Sequence, residues 1–100
     1  MEFEWDEEKR REILARRGVD LLYAALIFEG EVLTRVDDRR DYGEERWISL
    51  GLVDGEPFTV VHTGRAGATR LITAWKGGRN DVASYEAGLA RRAQSDDRSG

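Results

Sequence analysis

The residues most able to do chemistry are basic side chains in the C-terminal third of the chain. Arg70 and Lys76 stand at the two ends of a predicted strand, an even number of positions apart, so we expect both on one face. Arg65 lies in the preceding loop, where its guanidinium could bind a phosphate through two nitrogens. Groups of this kind stabilise the extra negative charge on a phosphate under attack. The alternative is that all three are solvent-exposed charges.

Two further side chains could transfer a proton. His62 is the only histidine of the chain, and the near-neutral pKa of imidazole suits a general acid or base. Because Phe58 and Val60 share its predicted strand face, a hydrogen-bonded histidine at the edge of the core is the alternative. Glu45, beside Arg46 in a segment of alternating charge, could act as a general base, and a surface ion-pair patch is the alternative there.

Trp75 could stack on a nucleobase, since stacking on an aromatic side chain tolerates any base. The alternative is a half-buried tryptophan of a strand. The sequence contains no spacing of His, Asp and Glu typical of a metal site, and no glycine-rich loop of the phosphate-binding kind precedes a helix. We therefore expect neither a metal nor a cofactor.

Composition limits the class of protein that could carry these residues. A chain of 100 residues with 40% hydrophobic residues fits one globular domain, for which we expect residues 1–93, with a disordered tail over residues 94–100. The absence of cysteine excludes disulfides and thiolate metal sites. The acidic N-terminus has no apolar run and no stretch suits a transmembrane helix, so we expect a cytoplasmic protein without a membrane partner.

The net charge of −4 is unusual for a protein that binds phosphates, but the charge is unevenly distributed. Residues 1–33 contribute five basic and nine acidic side chains, and residues 34–64 contribute four and seven. Residues 65–100 contribute seven basic and four acidic side chains. The segment that contains the phosphate-binding candidates is therefore basic.

The elements that must position these residues form an α+β pattern. Asp6 can cap a helix that runs to about Arg16 and ends at Gly18, and Asp20 can cap a second helix, Leu21–Phe28. Asn80 can cap a final helix that runs to about Arg92. Phe3-Glu4-Trp5 alternates like a short edge strand. Between the second and the final helix, alternation predicts an antiparallel sheet of four strands: Val32–Val36, Arg46–Val53, Phe58–Thr63 and Thr69–Lys76. Asp54-Gly55 predicts a two-residue hairpin turn.

Five short segments resemble the BrnT family of bacterial toxins in their order and spacing, over about residues 3–86. These segments are Trp5–Lys9, Gly18-Val19, Arg39–Ile48, Thr63–Arg65, and Arg70–Lys76 followed by Tyr85-Glu86. The chain departs from the usual pattern at Ile13, Arg17 and Trp75, where the family usually has Asn, His and Arg. The resemblance implies a RelE-like fold, with two N-terminal helices and a C-terminal helix packed on a twisted antiparallel sheet.

The resemblance also implies a function: a toxin of a type II toxin–antitoxin system that cleaves mRNA and inhibits translation. It implies a ribbon-helix-helix antitoxin of the BrnA kind, and contact with operator DNA only through the toxin–antitoxin complex. We expect cleavage to be metal-independent, and we expect Arg46 and Arg79, with Arg65 and Trp75, to contact RNA. We expect the antitoxin to cover the basic surface around Arg70 and Lys76. The alternative is a non-catalytic member that acts as a co-repressor subunit with its antitoxin.

Overall fold

A computed structural model describes the backbone of residues 1–99 and the side chains of residues 1–95. Residues 1–99 form three α-helices, one 3₁₀ helix and five strands. In chain order these are β1 (Phe3–Glu4), α1 (Glu7–Arg17), α2 (Leu21–Ala24), the 3₁₀ helix (Ala25–Glu29), β2 (Leu33–Val36), β3 (Trp47–Val53), β4 (Glu56–Arg65), β5 (Ala68–Lys76) and α3 (Arg79–Ser99). The α+β class expected from the sequence is confirmed.

The N-terminal helices begin and end where their capping residues predict. The Asp6 side chain accepts a hydrogen bond from the backbone N–H of Glu8, and α1 ends at Gly18 with φ +66°. Asp20 caps α2 in the same way. The predicted helix Leu21–Phe28 is wrong in one respect, since only its first turn is α-helical and the rest tightens into a 3₁₀ helix. This tighter turn holds Ile27 directly against Gly51 of β3.

The sheet has five strands in the order β1-β5-β4-β3-β2, and it is mixed rather than purely antiparallel. β1 pairs with β5 in parallel, a pairing that the four-strand prediction lacks. The predicted hairpin between β3 and β4 is confirmed, with Asp54 and Gly55 at φ +50° and +78°. A two-residue turn at Ala66 and Gly67 joins β4 to β5.

A β-bulge in β5 determines which side chains share a face of the sheet. Val61 of β4 pairs with Thr73, but the next residue of β4, His62, pairs with Leu71, so Ile72 is an extra residue without a partner. The alternation of β5 side chains between the two faces of the sheet therefore shifts by one residue at the bulge. Leu71 and Ala74 both project to one face, which we call the core face, although three positions separate them.

The core lies between the core face and the N-terminal helices. It is formed by buried residues of these helices, of the segment between α1 and α2, and of β3, β4 and β5: Ile13, Val19, Leu21, Ala24, Ala25, Ile27, Val53, Phe58, Val60, Leu71 and Ala74. The opposite face, which we call the outer face, carries Thr59, Val61 and Thr63 of β4 and Arg70, Thr73 and Trp75 of β5. The N-terminal helices thus leave the outer face free for α3.

α3 packs on part of the outer face. Gly88 lies against the side chain of Leu33 of β2, and the Tyr85 hydroxyl donates to the carbonyl of Glu31 at 2.7 Å. The prediction that Asn80 caps this helix is wrong, because α3 begins at Arg79 and Asp81 accepts from the N–H of Gly78 at 2.8 Å. α3 continues past Arg92 through residues 94–99, for which the sequence predicts a disordered tail, and Gly100 lies outside the described residues. No helix in the described part of the chain is long and apolar enough to span a membrane.

Candidate active site

Three of the predicted site residues converge at one end of the sheet. Arg46 precedes β3, Arg65 ends β4 and Arg70 lies near the start of β5, and all three line one recess of about 240 Å³. We call these three residues the arginine cluster. Lys9 of α1 and Asp6, which caps this helix, line the recess from the side, and the loop before β3 contributes Glu44.

Backbone pairing explains this convergence. The β4–β5 turn sets Arg65 opposite Ala68, and two residues further along Arg70 pairs with Thr63. The loop before β3 is closed by a hydrogen bond from the N–H of Asp37 to the carbonyl of Arg46 at 2.8 Å. Three segments that are distant in the sequence therefore place a guanidinium at the same end of the sheet.

Carboxylates lie between and beside these guanidinium groups. Glu44 lies 3.0 Å from the Nε of Arg46 and 3.8 Å from an Nη of Arg65. The Arg46 guanidinium also lies 4.1 Å from the centre of the Tyr42 ring, and this contact favours one fixed orientation of the Arg46 side chain. Two of the three arginines are thus ion-paired to one carboxylate in the free protein.

The third arginine has a different partner. Glu4 of β1 pairs with Arg70 of β5 in register, and its Oε1 lies 3.9 Å from an Nη of Arg70. This oxygen is buried and has no hydrogen-bond partner among the described residues. The parallel β1–β5 pairing, which sequence reasoning missed, is what brings Glu4 to the site.

Glu44 rather than Glu45 is the carboxylate of the recess. Glu45 is exposed, and its contact in the structure is a hydrogen bond that its backbone carbonyl accepts from the hydroxyl of Thr63 at 2.6 Å. The alternating charges of residues 39–46 indicate that a carboxylate lies near Arg46. Neighbours in an irregular loop have no fixed periodicity, so the sequence does not distinguish Glu44 from Glu45.

Lys76 does not belong to this site. Its register partner is Phe58 of the core face, whereas Arg70 is paired with Thr63 of the outer face. The prediction that Arg70 and Lys76 share one face is therefore wrong, because the bulge at Ile72 adds a residue between them. The Lys76 ammonium instead lies 3.1 Å from the carboxylate of Glu56.

His62 occupies the core face, as its alternation with Phe58 and Val60 predicts. Its Nε2 lies 2.7 Å from the Oγ of Ser49, which in turn lies 2.7 Å from the Oγ1 of Thr34. The imidazole packs edge-on against Phe28, and burial lowers its pKa. These contacts fit the alternative of a neutral, hydrogen-bonded histidine at the edge of the core.

Trp75 lies on the outer face, close to two arginines. The guanidinium carbons of Arg17 and Arg39 lie 5.8 and 5.7 Å from the centre of its ring. Arg17 and Trp75, two of the departures from the usual BrnT pattern, therefore contact each other. Arg79, the other basic candidate, is exposed at the start of α3 and is not among the residues that line the recess.

The arrangement suits phosphate chemistry. Guanidinium groups on three backbone segments can bind the non-bridging oxygens of a phosphodiester, and Glu44, 3.0 Å from Arg46, can accept a proton beside them. Among the described side chains of residues 1–95, no group of three His, Cys, Asp or Glu residues is placed to hold a metal ion. The site can therefore bind an anion through cations of the chain itself.

Comparison with known proteins identifies the family. Residues 5–81 match the family model described as the ribonuclease toxin BrnT of type II toxin–antitoxin systems. No curated protein matches the sequence. The matched region contains every residue of the arginine cluster and Glu44. Because the match covers most of the chain, the protein belongs to the BrnT family of ribonuclease toxins.

Proposed function

We propose that the chain is a metal-independent endoribonuclease that cleaves mRNA and thereby inhibits translation. The observation that carries this proposal is the convergence of Arg46, Arg65 and Arg70 around the carboxylate of Glu44. The packing of the N-terminal helices on one face and of α3 on the other supports a relationship to RelE-like toxins. Of the four catalytic residues predicted from the sequence, this proposal keeps Arg70 and replaces Glu45 with Glu44.

The proposed reaction uses the 2′-hydroxyl of the RNA as the nucleophile. Glu44 accepts the proton of this hydroxyl, the 2′-oxygen forms a bond to phosphorus, and the bond from phosphorus to the 5′-oxygen breaks. Lys9, which lines the same recess, donates a proton to the leaving oxygen. The products are a 2′,3′-cyclic phosphate and a 5′-hydroxyl.

The arginine cluster stabilises the transition state of this reaction. A phosphorane carries more negative charge than the phosphodiester, and fixed guanidinium groups compensate it where charge develops. A phosphate that binds Arg46 and Arg65 competes with Glu44 for them, which leaves the carboxylate beside the bound nucleotide. Because cations of the chain perform this task, the proposed reaction needs no divalent metal.

A partner must silence the activity, and the family implies an antitoxin. We propose a ribbon-helix-helix antitoxin of the BrnA kind that covers the arginine cluster and contacts operator DNA for the complex. Since Lys76 lies on the other face, the proposed interface is centred on Arg70 and not on both residues. Co-purification of the toxin with the small protein encoded beside it tests this interface, and a stable complex is expected.

The experiment that tests the cleavage is incubation of the purified protein with RNA in EDTA, followed by analysis of the fragment ends. Cleavage that leaves a 2′,3′-cyclic phosphate is expected. Abolition by EDTA, or a 3′-hydroxyl end, would contradict the mechanism. Inducible expression in bacteria should arrest growth, whereas antitoxin binding without growth arrest or cleavage would support a non-catalytic co-repressor.

A further inference from the structure

A groove separate from the arginine cluster runs between α3 and the outer face of the sheet. Its volume is about 410 Å³, and Leu33, Leu50 and Trp75 give it an apolar floor. Two exposed basic residues, Arg35 of β2 and Arg91 of α3, and one acidic residue, Asp81 at the start of α3, also line it, so the charged side chains of the groove sum to +1. An apolar floor with basic side chains at its edges suits a ligand that has flat apolar groups and negative charge.

The guanidinium groups of Arg17 and Arg39 lie 5.8 and 5.7 Å from the ring centre of Trp75, and each is itself anchored by hydrogen bonds. Arg39 is fixed by two short hydrogen bonds, of 2.7 and 2.8 Å, to the fully buried carboxylate of Asp37. Arg17 donates to the hydroxyl of Thr73 and to the carbonyl of Ala74. A ring that is already ordered loses little conformational freedom when a planar ligand stacks on it.

The groove and the arginine cluster lie along the same side of β5. Arg70 and Trp75 both project to the outer face, at positions five residues apart on one strand. At about 3.3 Å per residue the separation is roughly 15 Å, which a few nucleotides of an extended single strand can cross. One RNA strand can therefore contact both places at once.

We infer that this groove is a second RNA-binding site, which stacks one unpaired nucleobase on Trp75 and binds adjacent phosphates through Arg35 and Arg91. This inference rests on the proposed ribonuclease function and deepens it, because it specifies a single-stranded substrate that extends several nucleotides beyond the cleaved bond. The charge of the groove favours RNA over an apolar protein segment. A base-paired strand cannot offer a free base face to Trp75.

The test compares RNA of about twelve nucleotides with RNA of about four, lengths that do and do not span both sites. The rate constant kcat/KM is measured for each, and Kd is measured for a non-cleavable 2′-O-methyl RNA of the longer length. The variants are Trp75→Ala, Trp75→Phe and Arg91→Ala. Arg11→Ala is the matched control, since it removes an exposed arginine of α1 that does not line the groove.

In Trp75→Ala we expect affinity and kcat/KM for the longer RNA to fall roughly 5- to 150-fold, the effect of removing one base stack. Cleavage of the shorter RNA should stay near the wild-type rate, and Trp75→Phe should retain most of the affinity. Arg91→Ala should reduce the slope of log Kd against log salt by about 0.7 for each phosphate that the variant no longer binds. Arg11→Ala should leave both measurements unchanged.

Equal behaviour of Trp75→Ala, Arg91→Ala and Arg11→Ala towards the longer RNA would overturn the inference while leaving the ribonuclease proposal intact. Loss of antitoxin binding with unchanged RNA binding in Trp75→Ala and Arg91→Ala would also overturn it and assign the groove to the protein partner. Binding that depends on Trp75 without any cleavage would support the groove and contradict the ribonuclease proposal. Should Trp75→Ala fail to fold, Arg91→Ala decides the outcome: an unchanged slope of log Kd against log salt would overturn the inference.

Discussion

The carboxylate of Glu44 accepts a hydrogen bond from the Nε of Arg46 at 3.0 Å, within the loop that precedes β3. The same loop is tied to the sheet where the N–H of Asp37 donates to the carbonyl of Arg46. A proton acceptor and a phosphate ligand therefore have a fixed relative position before any RNA binds. The closeness of these two groups is the basis of the first prediction.

Glu44→Gln should slow RNA cleavage by about 10²- to 10⁴-fold, the usual contribution of a general base. The amide keeps the shape of the side chain and can still accept a hydrogen bond from Arg46, so the fold should be retained. Glu45→Gln is the matched control and should cleave at nearly the wild-type rate. Rates are measured in EDTA, and a larger loss in Glu45→Gln than in Glu44→Gln would show that the base is assigned to the wrong neighbour.

Arg70→Ala should slow cleavage by about 10²- to 10³-fold, because one donor to the phosphorane is removed. Lys76→Ala should change the rate by less than about fivefold, since Lys76 lies on the other face and forms a surface pair with Glu56. The measurement is single-turnover cleavage of one RNA by both variants. Equal losses in the two variants would contradict the site proposed on the outer face.

His62→Gln should cleave RNA at close to the wild-type rate, because His62 lies on the core face and the arginine cluster at the outer face. The effect should appear in stability instead. Burial lowers the pKa of His62 below 6.5, so the unfolded state binds the proton more readily than the folded state. The stability due to neutral His62 is therefore complete above about pH 6.5 and is lost as the pH falls towards the folded pKa.

The measurement for this residue is the melting temperature from about pH 7.5 to 5, where the wild type should fall more steeply than His62→Gln. The glutamine can keep a hydrogen bond to Ser49 without titrating. Identical pH slopes would contradict the assignment of a buried neutral imidazole. A large loss of cleavage in a folded His62→Gln protein would restore the histidine as a catalytic candidate.

Gly51→Ala should lower the free energy of unfolding by about 1–3 kcal/mol, the usual cost of overpacking a core. A Cβ at this position would lie 2.7 Å from the Cβ of Ile27 and 3.2 Å from Val32. Gly64→Ala is the control, because a Cβ there meets nothing within 4 Å, and its effect should be within about 0.5 kcal/mol. Urea denaturation of both variants checks this, and equal stabilities would mean that the 3₁₀ helix packs less closely on β3.

The sequence by itself determined the features that depend on a few adjacent residues. Asp6 and Asp20 cap their helices because a side-chain oxygen and the free N–H groups lie within three residues of each other. Asp54-Gly55 forms the predicted turn because both positions tolerate positive φ. The position of His62 on the core face likewise followed from the alternation of side chains along β4.

Only the tertiary structure decided which charged residues meet. The parallel β1–β5 pairing brings Glu4 to Arg70, and these residues are 66 positions apart in the sequence. Glu44 reaches Arg65 from an irregular loop, in which Arg39 contacts Trp75 and Tyr42 contacts Arg46, and no periodic pattern predicts these contacts. Partners this distant in the sequence are selected by packing of the whole chain, which a local pattern does not encode.

The tertiary structure also decided that Arg70 and Lys76 lie on opposite faces of the sheet. Strand alternation assigns a side chain to a face only while the hydrogen-bonded ladder is continuous, and the extra residue Ile72 interrupts it. The sequence around Ile72 is typical of an ordinary strand, because the position of the bulge depends on how β5 packs against β4 and not on the local sequence. The sequence therefore supplied the basic residues of the site, and the register of two strands decided which of them lie together.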